Sequence, residues 1–353
     1  MRLSRSVLLA VLAVFGLALV TQALPAWRTR SLPTGEAQWI WKKTDRRDYQ
    51  PTAFYAVRDF ELKSPPARAR LLVTADEEYV LTLNGKPVGA GAYRRGAPLD
   101  VYEVGPLLLE GGNRLVAELR SDRGTGGFLV SLQDEDDGRP LVVSDEEWRI
   151  FPRHELGLVR GWLPAGDGEP AFSWGYPPIG RWGTPEPGRP SPLLFAKKPP
   201  LIPAVSALPV PAGLGPEEVR RPSSPVLYDW GRELEGRLTL ALPPSKDLGV
   251  GLLFVGNRPP DPLRDEPADA VLIMAGRHDW LDSRARRFRY ALLVGIARPV
   301  SAAVRPEALT PSRPAEDDGR VFGVEGPPLR TPVEDEVWSE LQRVPGVARR
   351  KDL

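Results

Sequence analysis

The stretch YVLTLNGKPVGAG, residues 79–91, has the pattern of a tight β-hairpin. Apolar residues recur along YVLTL with the two-residue period of a strand. Asn84 and Gly85 then stand where a two-residue turn requires two positive φ angles. Turn geometry accounts for both residues, so we interpret them as structural and expect a β-protein around them.

Short strand patterns continue on both sides of this hairpin. They are apolar or alternating runs separated by turn residues: AQWIW (37–41), AFYAVRDFEL (53–62), ARLLVTA (69–75), NRLVAEL (113–119) and GFLVSLQ (127–133). No stretch between them sustains the 3.6-residue period of a helix. Short strands at this spacing predict a β-sandwich over residues 37–153.

The segment that follows, residues 154–222, is crowded with proline and glycine, which predicts a connector between domains. It also holds aromatic residues that a solvated linker does not need, among them Trp162, Trp174, Tyr176 and Trp182. We therefore expect its first half to lie on a folded surface. Strand patterns return over 223–310, as in PVLYDWG and GVGLLFVG, and predict a second β-sandwich. The sequence thus predicts an all-β fold with two sandwich domains.

The two ends of the chain carry the only helical patterns. Arg2 and Arg5 precede the uncharged apolar run 7–20, which is typical of an export segment. This run can be the core of a signal peptide or, extended to Ala26, a membrane anchor, and both readings place the rest outside the cytoplasm: secreted, periplasmic or anchored by residues 7–26. The tail, 311–353, contains VEDEVWSELQRV (333–344), which predicts a short amphipathic helix.

Composition excludes several functional classes. Among 353 residues, 47 Lys and Arg balance 46 Asp and Glu, so no strong field attracts nucleic acid. The absence of cysteine excludes disulfides and thiolate metal sites. Only His154 and His278 are available for a histidine metal centre or triad, and no phosphate-binding loop or metal-ligand spacing occurs. No cofactor is predicted, and calcium is left open.

Taken together, the strand segments resemble the N-terminal accessory β-domains of bacterial α-L-rhamnosidases. The first domain matches through AFYAVRDFEL, through the hairpin region, and through LDVYEVGPLLLEGGNRLVAEL (99–119). The second matches through PVLYDWGRELEGRLTLAL (225–242) and FRYALLVGI (288–296). The resemblance implies a galactose-binding-like jelly roll over 37–153, followed by a second β-sandwich.

That resemblance also bears on activity, because the family's two catalytic carboxylates lie in an (α/α)6 barrel that follows the β-domains. We expect this chain to lack the barrel, and we nominate no catalytic residue. The acidic runs at 134–140, 145–148 and 313–320 are interpreted as solvated loops. Three functions stay open: an exported non-catalytic carbohydrate-binding protein, a truncated or split α-L-rhamnosidase-like glycoside hydrolase that works with a separate catalytic chain, and an envelope scaffold for protein partners.

If the function is sugar recognition, two groups of residues suit it. Sugar rings stack on Trp and Tyr, while their hydroxyls bind planar donors such as Arg. One group is Tyr93, Arg94 and Arg95 with Arg123, and the other is Trp174, Tyr176 and Trp182. The alternatives are that the arginines merely solvate a loop and that the tryptophans are buried between the two sandwiches. The expected ligand is a rhamnose- or galactose-containing glycan.

Overall fold

The computed structural model describes residues 32–43, 50–194, 200–209, 225–262 and 264–307. The predicted export segment and the predicted C-terminal helix lie outside these residues. Among those described, no helix is both long and apolar enough to cross a membrane. The described part forms two β units, an N-terminal unit up to Leu194 and a C-terminal unit from residue 200 onward.

The described part of the N-terminal unit contains thirteen strands, one short α-helix and two single-turn 3-10 helices, at Gly105–Leu107 and Gly180–Trp182. In chain order the strands and the α-helix are β1 (Trp39–Trp41), β2 (Thr52–Leu62), β3 (Ala69–Asp76), β4 (Glu78–Leu83), β5 (Lys86–Ala92), β6 (Leu99–Glu103), β7 (Gly111–Ser121), β8 (Gly127–Asp134), β9 (Pro140–Val143), β10 (Arg149–Phe151), α1 (Leu156–Val159), β11 (Glu169–Pro170), β12 (Phe172–Gly175) and β13 (Pro187–Ser191). One sheet has the order β12-β1-β8-β3-β6-β13, with β9 also on β8. The other has the order β11-β10-β2-β7-β4-β5. These two sheets form a sandwich.

Alternation along each strand builds the core of this sandwich. Inward side chains of the first sheet, such as Leu71 and Phe128, meet those of the second, such as Phe54 and Leu119, and all are buried. Trp41 packs edge-on against Phe54 with ring centroids 4.8 Å apart. Burial of side chains this large is the main stabilising term for such a fold.

The hairpin joining β4 and β5 has the geometry that its sequence predicts, with φ of 51° at Asn84 and 73° at Gly85. The Asn84 amide also bonds outside the turn. It donates to the Leu107 carbonyl oxygen and to Asn113 Oδ1, both at 2.9 Å, and its oxygen accepts from the Arg114 amide at 2.8 Å. Asn84 therefore fixes the turn against a neighbouring loop as well as shaping it.

The proline-rich segment expected to be a connector contributes three strands to the sandwich. β12 pairs with β1, β13 pairs with β6, and β11 pairs with β10. All three lie at sheet edges. An edge strand leaves one row of N–H groups unpaired, so proline is tolerated there and composition alone does not reveal the strand.

The C-terminal unit is a single eight-stranded sheet that folds around one long strand. Its strands are β14 (Ile202–Pro203), β15 (Ser206–Pro209), β16 (Val226–Ala241), β17 (Gly249–Gly256), β18 (Asp269–Ile273), β19 (Asp279–Leu281), β20 (Arg286–Val294) and β21 (Ser301–Pro306). The first half of β16 pairs with β15 and β20, and its second half with β19 and β21. The folded sheet encloses a core that includes Trp230, Trp280 and Phe288. The all-β prediction is thus confirmed.

The two units meet along the outer face of the sheet that contains β2, β7 and β4. Part of the junction is apolar, where Val57 and Val116 lie with Met274 of the C-terminal unit. The rest is a buried ionic network. Arg120, 1% exposed, donates to Glu118 Oε1 through Nε at 2.9 Å and Nη2 at 2.7 Å, and through Nη1 to the Leu281 carbonyl oxygen at 3.0 Å.

Candidate functional site

A polar cleft of about 400 Å³ opens at one end of this junction. Its N-terminal wall includes Asp76, Glu77, Glu78, Arg120, Asp122 and Arg123, with Tyr93 and Arg95 from the loop after β5. Its C-terminal wall includes Asp269, Ala270, Leu272 and Arg284. The volume lies within the range of roughly 300–1,000 Å³ that is common for small-ligand sites.

A short crossover places three consecutive acids in the N-terminal wall. β3 ends at Asp76 in one sheet and β4 begins at Glu78 in the other, so a single residue, Glu77, links these two strands. The backbone there is closely packed, because a Cβ on Gly126 would lie 1.9 Å from the Asp76 carbonyl oxygen. Glycine at position 126 is therefore required for this wall of the cleft.

Burial changes the ionisation of two of these acids. Glu77 accepts a hydrogen bond from the Asp122 amide at 2.8 Å, and burial together with the neighbouring Asp122 raises the pKa of Glu77 to about 9. Burial, with a contribution from Asp269, raises the pKa of Glu78 to about 8. Both carboxyl groups therefore hold a proton at neutral pH and can donate hydrogen bonds into the cleft.

Replacing Glu77 by glutamine will weaken the pH dependence of stability. Folding raises the pKa of Glu77 from an ordinary 4.5 to about 9. Between pH 4.5 and pH 9, Glu77 therefore keeps its proton in the folded protein and loses it in the unfolded chain. The free energy of unfolding therefore falls as pH rises from about 4.5 towards 9. Denaturation midpoints at pH 5 and pH 8.5 should differ less in Glu77→Gln than in the wild type. If the midpoints at the two pH values differ equally in the variant and the wild type, the raised pKa of Glu77 is contradicted. The control is Glu110→Gln, because Glu110 is exposed.

Two cleft atoms are buried without a hydrogen-bond partner among the described residues. They are Arg284 Nε, which is a donor, and Asp122 Oδ1, which is an acceptor. The nearest ionic partners are not within hydrogen-bonding distance, because Arg123 Nε lies 3.8 Å from Asp122 Oδ1 and Arg284 Nη1 lies 3.5 Å from Asp269 Oδ2.

The first predicted group of site residues is largely brought together here. Tyr93, Arg95 and Arg123 all line the cleft. The backbone holds Tyr93 in place, because its amide donates to the Glu77 carbonyl oxygen at 2.6 Å. Arg94 is exposed on the same loop and is not among the lining residues.

The second predicted group lies elsewhere on the N-terminal unit. Trp182 stacks on buried Trp39 with ring centroids 4.5 Å apart, and Trp174 Nε1 donates to the Gly126 carbonyl oxygen at 3.0 Å. Both tryptophans pack with Trp39 on the outer face of the first sheet, and not between the two units as the alternative reading expected. Tyr176 is 43% exposed, and its hydroxyl accepts from Gln38 Nε2 at 3.3 Å.

A hydrogen bond links the second predicted group to the wall of the cleft. Trp182 Nε1 donates to Asp76 Oδ2 at 2.6 Å, and Asp76 lines the cleft. The aromatic cluster of Trp39, Trp174 and Trp182 therefore supports the cleft from behind. The sequence signal that could have revealed this wall is the run Asp76-Glu77-Glu78, three acids placed between two strand patterns.

Comparisons with known proteins were made on both sequence and structure. No protein-family model and no curated protein matches the sequence. In structure, the chain is similar to an α-L-rhamnosidase from Dictyoglumus thermophilum, with a TM-score of 0.51 and 15% identity over 78% of this chain and 36% of that one. The chain shares the fold of part of an α-L-rhamnosidase. The resemblance read from the sequence is thereby confirmed for the fold, over about a third of that enzyme's length.

Two further solved structures are similar to a smaller degree. The α-L-rhamnosidase from Aspergillus terreus gives a TM-score of 0.49 and 16% identity over 76% of this chain and 36% of its own. A lectin from Pleurotus ostreatus, solved in complex with GalNAc, gives 0.36 and 14% identity over 77% of each chain. Within the described part of the chain, no cluster of three or more His, Cys, Asp or Glu side chains is arranged to hold a metal ion.

Proposed function

We propose that this chain is a carbohydrate-binding protein and that the cleft between its two β units receives the sugar. The observation that carries the proposal is one cleft whose lining combines arginine donors, such as Arg95, Arg123 and Arg284, with the carboxylate acceptors Asp122 and Asp269. Sugar hydroxyls both donate and accept hydrogen bonds, so they can bind groups of both kinds.

The remaining lining residues suit the same ligand class. Arg95 and Arg123 provide planar donors, the protonated Glu77 and Glu78 provide further O–H donors, and Tyr93 provides a ring against which a pyranose can stack. The apolar segment 7–26 supports export as part of the proposal. A rhamnose- or galactose-containing glycan is the expected ligand.

Binding without hydrolysis is favoured by the ion pairing of Asp269, the carboxylate on the wall opposite Glu77 and Glu78. A glycosidase holds an acid and a second carboxylate on either side of the scissile bond, about 5–9.5 Å apart. Here Glu77 and Asp122 are neighbours on one wall, joined through the Asp122 amide. The carboxylate on the other wall, Asp269, is ion-paired with Arg286 and Arg284.

Calorimetric titration of the full chain with methyl α-L-rhamnoside and methyl α-D-galactoside, alongside a glycan array, tests the proposal. We expect binding, and we expect Arg123→Ala to weaken it by about 1.5–3 kcal/mol, or roughly tenfold or more in Kd. Arg139→Ala is the matched control, since Arg139 is also exposed and paired with an aspartate but lies outside the cleft.

Three results would overturn the proposal. The first is the absence of affinity for any glycan. The second is release of product from an aryl rhamnoside that is abolished by neutralising one Asp or Glu, which would favour a hydrolase, whole or split. The third is co-purification of a stoichiometric protein partner without sugar affinity, which would favour an envelope scaffold.

A further inference from the structure

We propose that the sugar bound in the cleft is acidic, a uronic acid whose carboxylate is held by Arg95 at the mouth. This inference rests on the proposed carbohydrate-binding function and names the class of sugar. It is carried by how the charged groups of the cleft are paired and how deep they lie.

Three of the four cleft arginines already have a carboxylate. Arg120 is bound to Glu118, Arg123 lies 3.8 Å from Asp122 Oδ1, and Arg284 lies 3.5 Å from Asp269. Arg95 differs from them. Its guanidinium has no hydrogen-bond acceptor and no ionic partner among the residues that the structure describes.

Two of the four cleft arginines lie at the mouth. The side chain of Arg123 is 52% exposed and Arg95 is exposed, whereas those of Asp122 and Glu78 are 13% and 9% exposed. The mouth therefore presents two arginines, and the deeper part of the cleft holds carboxyl groups together with the buried Arg120. Of these carboxyl groups, Glu77 and Glu78 hold protons at neutral pH, because burial raises their pKa values.

This arrangement favours one orientation of an anionic sugar. A carboxylate placed at the mouth can form a two-point, charge-assisted pair with the Arg95 guanidinium, whose fork of donors matches it. The ring hydroxyls then point towards the deeper part of the cleft, which Asp122 and Arg284 line. A neutral sugar of the same shape can hydrogen-bond to the same groups but leaves the charge of Arg95 without a counter-ion.

The test uses pairs of ligands that differ only at C6: methyl α-D-galactoside against methyl α-D-galacturonide, and methyl β-D-glucoside against methyl β-D-glucuronide. Titration calorimetry on the full chain at pH 7 should show a uronide binding about tenfold more tightly than its neutral partner. Arg95→Gln should remove the preference, so that the uronide and its neutral partner bind with similar affinity. Raising the salt concentration should reduce the difference in affinity between the uronide and its neutral partner.

Arg94→Gln is the matched control, since Arg94 is the exposed neighbour of Arg95 on the same loop but does not line the cleft. It should retain the preference for the uronide. Equal affinity for both members of each pair, or loss of the preference in Arg94→Gln in place of Arg95→Gln, overturns this inference while sugar binding stands. If neither member of either pair binds and the array shows no other glycan, the proposed function fails as well.

Discussion

Replacing Arg277 by methionine will lower the free energy of unfolding by about 3–5 kcal/mol, because it leaves a buried carboxylate without one of its two cations. Arg277 belongs to the C-terminal unit, and its side chain is 14% exposed. Its Nη1 donates to the Tyr55 hydroxyl at 2.6 Å, and its Nη2 lies 3.2 Å from Glu118 Oε2, both groups of the N-terminal unit. Burial opposes ionisation of Glu118, yet Arg277 and Arg120 outweigh it and lower its pKa. Urea denaturation followed by tryptophan fluorescence measures the loss.

The control for this prediction is Arg287→Met. Arg287 is 57% exposed and pairs with Glu235 at 2.8 Å on the surface, so its loss should cost less than about 1 kcal/mol. Adding Glu118→Gln to Arg277→Met should recover part of the stability, since the stranded charge is then gone. Equal destabilisation by the two single arginine variants would show that the network contributes no more than a surface pair does.

Replacing Trp39 by alanine will lower the free energy of unfolding by about 3–5 kcal/mol and will also weaken the proposed sugar binding. Trp39 is fully buried and stacks on Trp182, whose indole N–H donates to Asp76 in the cleft wall. Removing Trp39 leaves a cavity under Trp182, and the ring can then shift away from Asp76. Chemical denaturation gives the first effect, and titration calorimetry with the ligand bound by the wild type gives the second.

Trp162→Ala is the matched comparison, because Trp162 is 69% exposed and lies outside the cleft. It should change stability by no more than about 0.5 kcal/mol and leave binding intact. Trp182→Phe separates packing from hydrogen bonding: it keeps a ring against Trp39 but removes the donor to Asp76. Unchanged sugar affinity in both Trp39→Ala and Trp182→Phe would mean that the aromatic cluster does not support the cleft.

The sequence predicts the strands well where the determining signal is local. The alternation before Asn84 and the turn at Asn84 and Gly85 specify a hairpin by themselves, and the structure contains it. The strands β11 to β13 escaped prediction because their proline content is allowed only at a sheet edge, and edge position is set by the rest of the fold.

The candidate site was only partly predictable, for a related reason. Tyr93, Arg95 and Arg123 stand out because aromatic and basic residues crowd a turn, and they do line the cleft. Glu77 and Glu78 belong to a run of three acids between two strand patterns, but acids beside a turn usually indicate solvent exposure, so the run alone does not indicate a buried site. The surroundings of Glu78 include the C-terminal unit, whose β18 carries Asp269 about 190 residues further along the chain. A contact of that range leaves no pattern in a single sequence.

The cleft takes one wall from each β unit. Ligand binding in the cleft is therefore coupled to the relative position of the two units. A hinge motion that separates the two β units would take the cleft apart without unfolding either unit. A ligand that spans both walls must, by reciprocity, hold the halves closed with the same free energy that closure contributes to its own affinity. A ligand bound to both walls would then stabilise the closed arrangement, and the relative orientation of the two β units would differ between the free and the bound protein.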